Sequence, residues 1–350
     1  MKLGILGTGM IVKDLLTTIH ELKIESIYIL GTQQTEEETK SLCEQYHLDG
    51  YDLNYDDLLK RNIDTIYVAL PNHLHYTFAK KALENGKHVI IEKPITANTF
   101  ELKELIKIAK TKHLFMMEAM NIHYLPAYQT LKENIHRIGQ PKIVSFNYSQ
   151  YSSRYDDFKQ NKIHPAFDYH KAGGALMDLN VYNIHGIVGL FGKPKRIQYL
   201  ANIEKQIDTS GILTLDYGNF KAVLVGAKDC KAPIMTSVQG DQGCILLDTP
   251  ANNVSNFQLL TLQGDQGVLR IDTPINQLTK FEYINNQNES IIINKDENKH
   301  RLFYEFKQFI NMIDYHDEMK VNYMLEISFI VSEIMQEARL QEGIVFDNDK

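Results

Sequence analysis

Cysteine is scarce in this chain: Cys43, Cys230 and Cys244 are its three. An odd number without metal-type spacing builds neither a disulfide framework nor a zinc site, and the three read as reduced thiols of a cytoplasmic protein. Basic runs are missing too. With 37 Lys and Arg against 44 Asp and Glu, a net charge of −7, the sequence lacks the electrostatic footprint of a nucleic-acid partner. Apolar runs are all broken by charges well before the length that spans a bilayer, so no membrane partner is expected. The start lacks room for a charged segment, an apolar stretch and a cleavage site, because residues 1–6 run straight into a strand; no signal peptide is expected. What is present is ordinary for a globular protein: 43% hydrophobic and 23% charged residues. At 350 residues the chain exceeds the usual size of one core, which predicts two domains.

The first 120 residues alternate short apolar runs with amphipathic stretches. "KLGILG" (2–7), "IESIYIL" (24–30), "DTIYVAL" (64–70) and "KHVIIEK" (87–93) read as buried strands, and 10–21, 35–46, 54–61 and 73–85 as helices. Such alternation predicts a parallel sheet covered on both faces. A helix over 96–113, with Thr99 as candidate cap, and a strand at "LFMMEAM" (114–120) complete a doubly wound domain. Past residue 121 the texture changes. A helix near 124–138 precedes the strand-like "PKIVSFNYSQYS" (141–152), and "KRIQYLANIE", "TSGILTLDYG" and "FKAVLVGAKD" look like antiparallel strands joined by polar turns. The expected fold class is α/β: an N-terminal Rossmann doubly wound parallel sheet over 1–120, then an α+β domain with an open, largely antiparallel sheet over 121–321. The stretches 301–316 and 322–341 read as amphipathic helices, with 322–350 expected to return to the first domain. A duplicated segment, "QGDQGCILLDTPAN" (239–252) and "QGDQGVLRIDTPIN" (263–276), is identical at nine of fourteen positions. Two copies do not make a solenoid, and the pair reads as a glycine turn and strand used twice in one sheet.

Gly7, Thr8 and Gly9 follow the first strand and open the first helix, the context a dinucleotide fingerprint requires. The first glycine allows the tight turn and the second lets the backbone approach a pyrophosphate. That group sits on the orphan amides and positive dipole end of the helix, the turn that also holds Met10 and Ile11. Val12 stands where Gly or Ala is expected; its bulk should push the helix slightly off the strand and leave the phosphate cradle intact. The end of the second strand, "LGTQQTEEE", has neither the acidic residue that holds a ribose 2′-hydroxyl nor the arginine that favours a 2′-phosphate. Thr32, Gln33 and Gln34 can hydrogen-bond either form, and Glu36 to Glu38 read as the first turn of the next helix. NAD and NADP both stay open.

Lys93 closes a strand at the carboxyl edge of the sheet, where ligands of doubly wound domains bind, and Pro94 biases it to an extended conformation. Leu70, Pro71, Asn72 and His75 lie in or near the loop after the preceding strand. His73 and His75 lack the carboxylate or cysteine that would complete a metal site, so no metal is expected. In "GGALMDLNVYNIH" (173–185) a helical period puts Asp178, Tyr182 and His185 on one face, and Gly173 and Gly174 let the chain pass close to a ligand.

From the Gly7 fingerprint through "IYVALPNHLHYTFAKKALENGKHVIIEKPIT" (66–96), "MEAMNIHYLPAY" (117–128) and "GGALMDLNVYNIH", in that order, the chain resembles the glucose–fructose oxidoreductase / inositol dehydrogenase (Gfo/Idh/MocA) family. The resemblance implies an NAD(P)-dependent oxidoreductase that moves a hydride between nicotinamide and a hydroxyl or carbonyl carbon of a small sugar, polyol or diol. It implies that Lys93 lies beside the nicotinamide and hydrogen-bonds the reacting oxygen, and that Leu70, Pro71, Asn72, His75 and Glu92 contact the cofactor. Many relatives have histidine where Tyr182 stands. A branch that includes dihydrodiol dehydrogenases and some xylose dehydrogenases has tyrosine, and this sequence looks like that branch. Tyr182 is then the acid–base group, its phenol drawn down from about 10 by the neighbouring lysine ammonium. Asp178 orients the substrate or tunes that lysine, both helix residues pointing across the domain cleft toward Lys93; His185 is expected to be mainly structural. Where the branch often shows Trp and Arg, this chain has Asn121 and His123, and Asn180 replaces a common glycine. These three are expected to border the substrate pocket, so a relative's substrate does not transfer. Similar proteins associate through the open sheet, which implies a homodimer or dimer of dimers. Two other readings are a dinucleotide-binding regulatory protein without turnover, which would have lost Lys93 or the acid–base residue, and a lyase or glycosidase using transient oxidation, which would show no net change in NAD(P)H.

Overall fold

The computed structural model describes residues 1–350 except 139 and parts of 231–298, where the backbone of six strands is described. The first sheet is β1 (Lys2–Leu6), β2 (Ser26–Leu30), β3 (Gly50–Asp52), β4 (Thr65–Val68), β5 (His88–Glu92) and β6 (Met116–Ala119). Its order is β3-β2-β1-β4-β5-β6 and every pairing is parallel. β1, β4 and β5 are near-continuous apolar runs because both faces of the sheet are covered; Ile5, Ile66 and Ile90 are wholly buried. The connections carry α1 (Met10–Leu16), α2 (Glu36–Gln45), α3 (Tyr55–Lys60), α4 (His75–Glu84) and α5 (Thr99–Thr111). The strand order reverses between β1 and β4, so the carboxyl ends of these neighbours form the switch point at which doubly wound sheets bind ligands.

Three local expectations are corrected. β3 was not expected: "GYD" is a half-buried edge strand with no apolar run to announce it. The stretch 10–21 is not one helix, since α1 ends at Leu16 and Ile19–Glu21 is a separate 3-10 turn. The cap of α5 is Asn98 rather than Thr99: Asn98 is extended and its side-chain oxygen accepts from the Glu101 N–H at 2.9 Å. Thr99 is already helical.

The second sheet has ten described strands. After α6 (Pro126–Asn134) come β7 (Pro141–Ser149), α7 (Tyr155–Lys159), α8 (Val181–Phe191), β8 (Arg196–Glu204), β9 (Ile207–Asp216) and β10 (Lys221–Ala227). β11 (Met235–Gly240), β12 (Gly243–Asp248), β13 (Leu260–Gly264), β14 (Gly267–Ile271), β15 (Lys280–Asn285) and β16 (Ser290–Asn294) extend it in the order β16-β15-β14-β13-β12-β11-β7-β10-β9-β8. All neighbours are antiparallel except β7 and β10. The α/β class with an open, largely antiparallel second sheet is as expected. The duplicated segment supplies β12 and β14; its intervening turns lie outside the described residues.

The chain groups into two compact units, Met1–Met120 with His300–Ser332, and Asn121–Lys299 with Glu333–Lys350. Residues 300–321, expected with the second domain, therefore group with the parallel sheet. α9 (Arg301–Asp314) sets the Phe306 ring edge-on to Tyr67 at 5.0 Å, and Asp314 pairs with the Met1 amino group at 3.1 Å. The last part of α10 (Glu318–Gln341), from Glu333, groups with the second unit instead. An apolar stripe tells that a helix is buried and leaves open against what. No helix among the described residues is long and apolar enough to cross a membrane.

Candidate active site

At the end of β1 the chain turns at Gly7 with φ +103, a conformation L side chains rarely adopt, and a Cβ there would lie 2.8 Å from the Ala69 carbonyl oxygen. Gly9 precedes α1 with no side-chain cap, no acidic residue follows in the first turn, and a Cβ on Gly9 would meet nothing within 4 Å. Open space at uncapped helix amides is what a pyrophosphate needs, so these residues fit a dinucleotide. Val12 is fully buried, Met10 is exposed and Ile11 is half-buried. The Thr8 hydroxyl donates to Glu38 at 2.7 Å and the Lys13 ammonium to the other oxygen of Glu38 at 2.6 Å. Lys13 first and Thr8 second hold the Glu38 carboxyl below its usual range. Thr32 is exposed and donates its N–H to the Thr35 hydroxyl at 2.9 Å, opening a 3-10 turn that contains Gln33 and Gln34.

Lys93 follows β5, and its peptide bond to Pro94 is cis. Behind it lies a buried acidic group. The Tyr67 hydroxyl donates to Glu92 Oε1 at 2.5 Å and the Lys93 N–H to Glu92 Oε2 at 3.2 Å. Glu118 accepts the Ile95 N–H at 3.0 Å, and α9 adds Glu305, 1% exposed. Burial raises the Glu92 carboxyl and raises Glu305 well above its usual range, the latter also through the nearby Glu92. Both oxygens of Glu92, expected to contact a cofactor, are thus engaged inside the unit. His75, given the same role, is wholly buried. Its Nε2 lies 2.7 Å from the Leu70 carbonyl oxygen and its Nδ1 2.9 Å from that of Pro94, so it braces the loop after β4 against the one after β5. Burial lowers its pKa while the two carbonyls oppose that shift. Pro71 is exposed, and Leu70 and Asn72 half-buried, along the loop that His75 braces.

In the second unit, residues Leu176–Asn180 form a π-helical turn that runs into α8. The wider turn breaks the simple helical period, and the three polar residues do not share one face. From Ala172 to Gly189, Asp178 and Tyr182 are the two that are not buried. The Tyr182 ring packs 5.6 Å from that of Tyr148 on β7. His185 is interior, its Nδ1 3.0 Å from His123 Nε2. Burial, then the adjacent His185, keeps the His123 pKa well below the imidazole range.

His123, Asn121 and Asn180 were expected to border a pocket, and all three are buried. Asn180 is wholly so: its side-chain nitrogen lies 3.4 Å from the Leu224 carbonyl oxygen and its side-chain oxygen accepts from Asn183 at 2.8 Å. Gly226 of β10 lets it approach, since a Cβ there would be 2.8 Å from the Asn180 Cβ. A polar residue in place of a family one marks a change of environment, and here the environment is the interior.

Two residues carry no motif and escape the sequence. Lys228 has a side chain 2% exposed; its Nζ donates to Asp178 Oδ2 at 2.6 Å and to the Ala166 carbonyl oxygen at 2.8 Å, and stands 4.4 Å from the centre of the Phe167 ring. Asp208 accepts the Leu176 N–H at 2.6 Å and the Tyr199 hydroxyl at 2.8 Å; burial pushes its carboxyl up to about 6. The alternation that buries Ala222, Leu224 and Gly226 continues to Lys228, and a lysine at a buried parity demands a partner. That signal is structural: residues 222–227 are apolar at both parities, so the sequence alone does not say which parity faces inward.

A model of an oxidoreductase family with an NAD-binding Rossmann fold matches residues 1–120, and the GFO/IDH/MocA C-terminal domain matches residues 128–246. The scyllo-inositol 2-dehydrogenase (NADP(+)) IolU of Bacillus subtilis is 33% identical over 290 residues, 82% of this chain and 80% of that protein. The chain belongs to the Gfo/Idh/MocA family. As a Gfo/Idh/MocA protein it is an NAD(P)-dependent oxidoreductase acting on hydroxyl or carbonyl groups. Trans-1,2-dihydrobenzene-1,2-diol dehydrogenase of Mus musculus is 25% identical over 224 residues, 62% of this chain and 65% of that one. Among solved structures, the 3-ketoreductase KijD10 of Actinomadura kijaniata with NADP and TDP-benzene is similar over 97% of both chains, with a TM-score of 0.78 at 17% identity. That likeness is one of fold.

Proposed function

We propose that this chain oxidises a secondary alcohol of a small polyol, sugar or diol, or reduces the matching ketone, with Lys93 holding the reacting oxygen and Tyr182 moving its proton. The observation that carries this is the selective exposure of Asp178 and Tyr182 in a stretch where every neighbour from Ala172 to Gly189 is buried. A core helix that shows solvent one carboxylate and one phenol has kept them for a ligand. When bound, the nicotinamide supplies or accepts the hydride. Gly7 to Ile11 and Thr32 bind the dinucleotide, joined by the loop Leu70–Asn72, whose position His75 sets. Lys93 donates a hydrogen bond to the substrate oxygen, its backbone fixed by Glu92, while Tyr182 takes the proton of that oxygen as the phenolate in oxidation and returns it as the phenol in reduction. Asp178 accepts hydrogen bonds from neighbouring substrate hydroxyls. In this reading the first unit serves the cofactor, and the second serves the substrate and forms a homodimer or dimer of dimers through its open sheet. A reduced, cytoplasmic setting accords with the free thiols Cys43 and Cys230.

A spectrophotometric screen of polyols, aldoses and diols with NAD and NADP in parallel tests the reading. Lys93→Met and Tyr182→Phe are expected to abolish turnover on the substrate it finds, while dinucleotide affinity, followed by fluorescence, stays within about threefold. Wild-type turnover in either variant would overturn the roles assigned. Product formation without net change in NAD(P)H would point instead to transient oxidation.

A further inference from the structure

We propose that Lys228 is a positioning residue for substrate recognition: from the interior of the second unit it fixes the carboxylate of Asp178 and so shapes the site for uncharged, polyhydroxylated ligands. The inference rests on the reading that Asp178 and Tyr182 face the substrate.

Lysine is a poor choice for a buried position, because its ammonium loses water that few interiors replace. Here the replacement is complete in kind. One carboxylate oxygen, one backbone carbonyl and one aromatic face surround Nζ, from Asp178, Ala166 and Phe167 respectively. A well-packed apolar side chain often serves stability as well as a buried ion pair does, so the pair points to geometry rather than to strength. What it fixes is a carboxylate at a boundary: the Asp178 side chain is 34% exposed, while its partner is 2% exposed. One end of the pair is anchored in the core and the other is presented outward.

The backbone beneath Asp178 is fixed as well. Asp208 accepts the Leu176 N–H, two residues before Asp178, in the same π turn. Gly174 passes so close to Asp208 that a Cβ would sit 2.1 Å from its Oδ1. The Leu176 N–H and the Tyr199 hydroxyl, and more weakly the Lys228 ammonium, hold the Asp208 carboxyl lower than burial alone would. Asp208 therefore sets the backbone of the turn, and Lys228 holds its outward-facing carboxylate. An ionised, immobilised carboxylate accepts hydrogen bonds from hydroxyl groups and repels carboxylates and phosphates. The ligand class that follows is a neutral molecule with adjacent hydroxyls.

The test uses the holoenzyme and the best hydroxyl substrate from the screen, with Lys228→Met, Lys228→Arg, Asp178→Asn and the Lys228→Met/Asp178→Asn double variant. Lys228→Met is expected to raise KM for the polyol at least tenfold, with a smaller change in kcat and KM for the dinucleotide within about twofold. Lys228→Arg, which keeps a cation, should recover most of that loss. In the Asp178→Asn background, Lys228→Met should add less than twofold, because both act through one carboxylate. A folded Lys228→Met protein with wild-type KM, or losses that multiply in the double variant, would overturn the role of Lys228. If Lys228→Met does not fold, a Lys228→Arg protein with native circular dichroism but a KM as high as that of Asp178→Asn would do the same. A wild-type KM in Asp178→Asn itself would sink the underlying reading of the site.

Discussion

Asp208 shows what one buried carboxyl can be made to do. It binds its proton more tightly in the folded chain, where burial brings it to about 6, than in the unfolded one, where aspartate lies near 3.9. Its contribution to stability is therefore full below about pH 4 and is lost as pH rises through about 6. A difference of about two units corresponds to roughly 3 kcal/mol. Urea unfolding of wild type and Asp208→Asn at intervals from pH 4 to 7 should show the wild-type decline flattened in the variant; parallel curves would refute the coupling. Gly174 is the second sensitive position. It stands at φ +107 against Asp208, so Gly174→Ala combines backbone strain with a clash and should cost about 2 kcal/mol or more in the same measurement.

At the scale of elements, caps and turns decide more than propensity does. Asn98→Ala removes the acceptor for the Glu101 N–H at the start of α5 and should cost about 1 kcal/mol in urea unfolding, whereas Thr99→Ala should change stability by a few tenths. The sequence pointed to the wrong one of these two residues, since either can cap and only the backbone, extended at Asn98, decides. The strands of the first sheet were legible because both faces are covered and the runs are continuously apolar. β3 was not, being three residues of which none is fully buried. The quoted helix was legible as a helix and not as a π turn: Asp178 and Tyr182 came through as the polar pair, but the period that joined His185 to them does not hold across Leu176–Asn180. Asn121, His123 and Asn180 were picked by their departure from relatives, and that criterion cannot separate a pocket wall from a core. Lys228 was not legible, because the run 222–227 before it is apolar at both parities and the aspartate it holds lies 50 positions away.

For the molecule as a whole, the open sheet makes the strongest demand. Leu200 and Ile212 are cross-strand neighbours, exposed by 57% and 44%, and Ile143 on the same outward face is exposed by 47%. This apolar ladder on one face of the open sheet is the surface through which the proposed dimer would associate. Light scattering after size exclusion should give a dimer mass or larger for the wild type and a monomer mass for Leu200→Glu with Ile212→Glu; a monomeric wild type, or an unchanged mass in the variant, would overturn the proposed association. The domain layout was legible as far as the alternation of strands and helices reached, and it failed for 300–321 and for the stretch from Glu333, where helical amphipathicity carries no address.

The parallel pairing of β7 with β10 has one further consequence. On these two strands Val144, Phe146, Ala222, Leu224 and Gly226 are buried, while the intervening Ile143, Ser145, Val223 and Val225 are exposed or half-buried. The same two strands lie under the π turn and α8. Residues of one parity therefore seat the helix that bears Asp178 and Tyr182, and residues of the other parity meet the outside. On the proposed roles, substrate preference and subunit association would be inscribed on interleaved positions of the same strands, so each could diverge among descendants of this chain without rewriting the other.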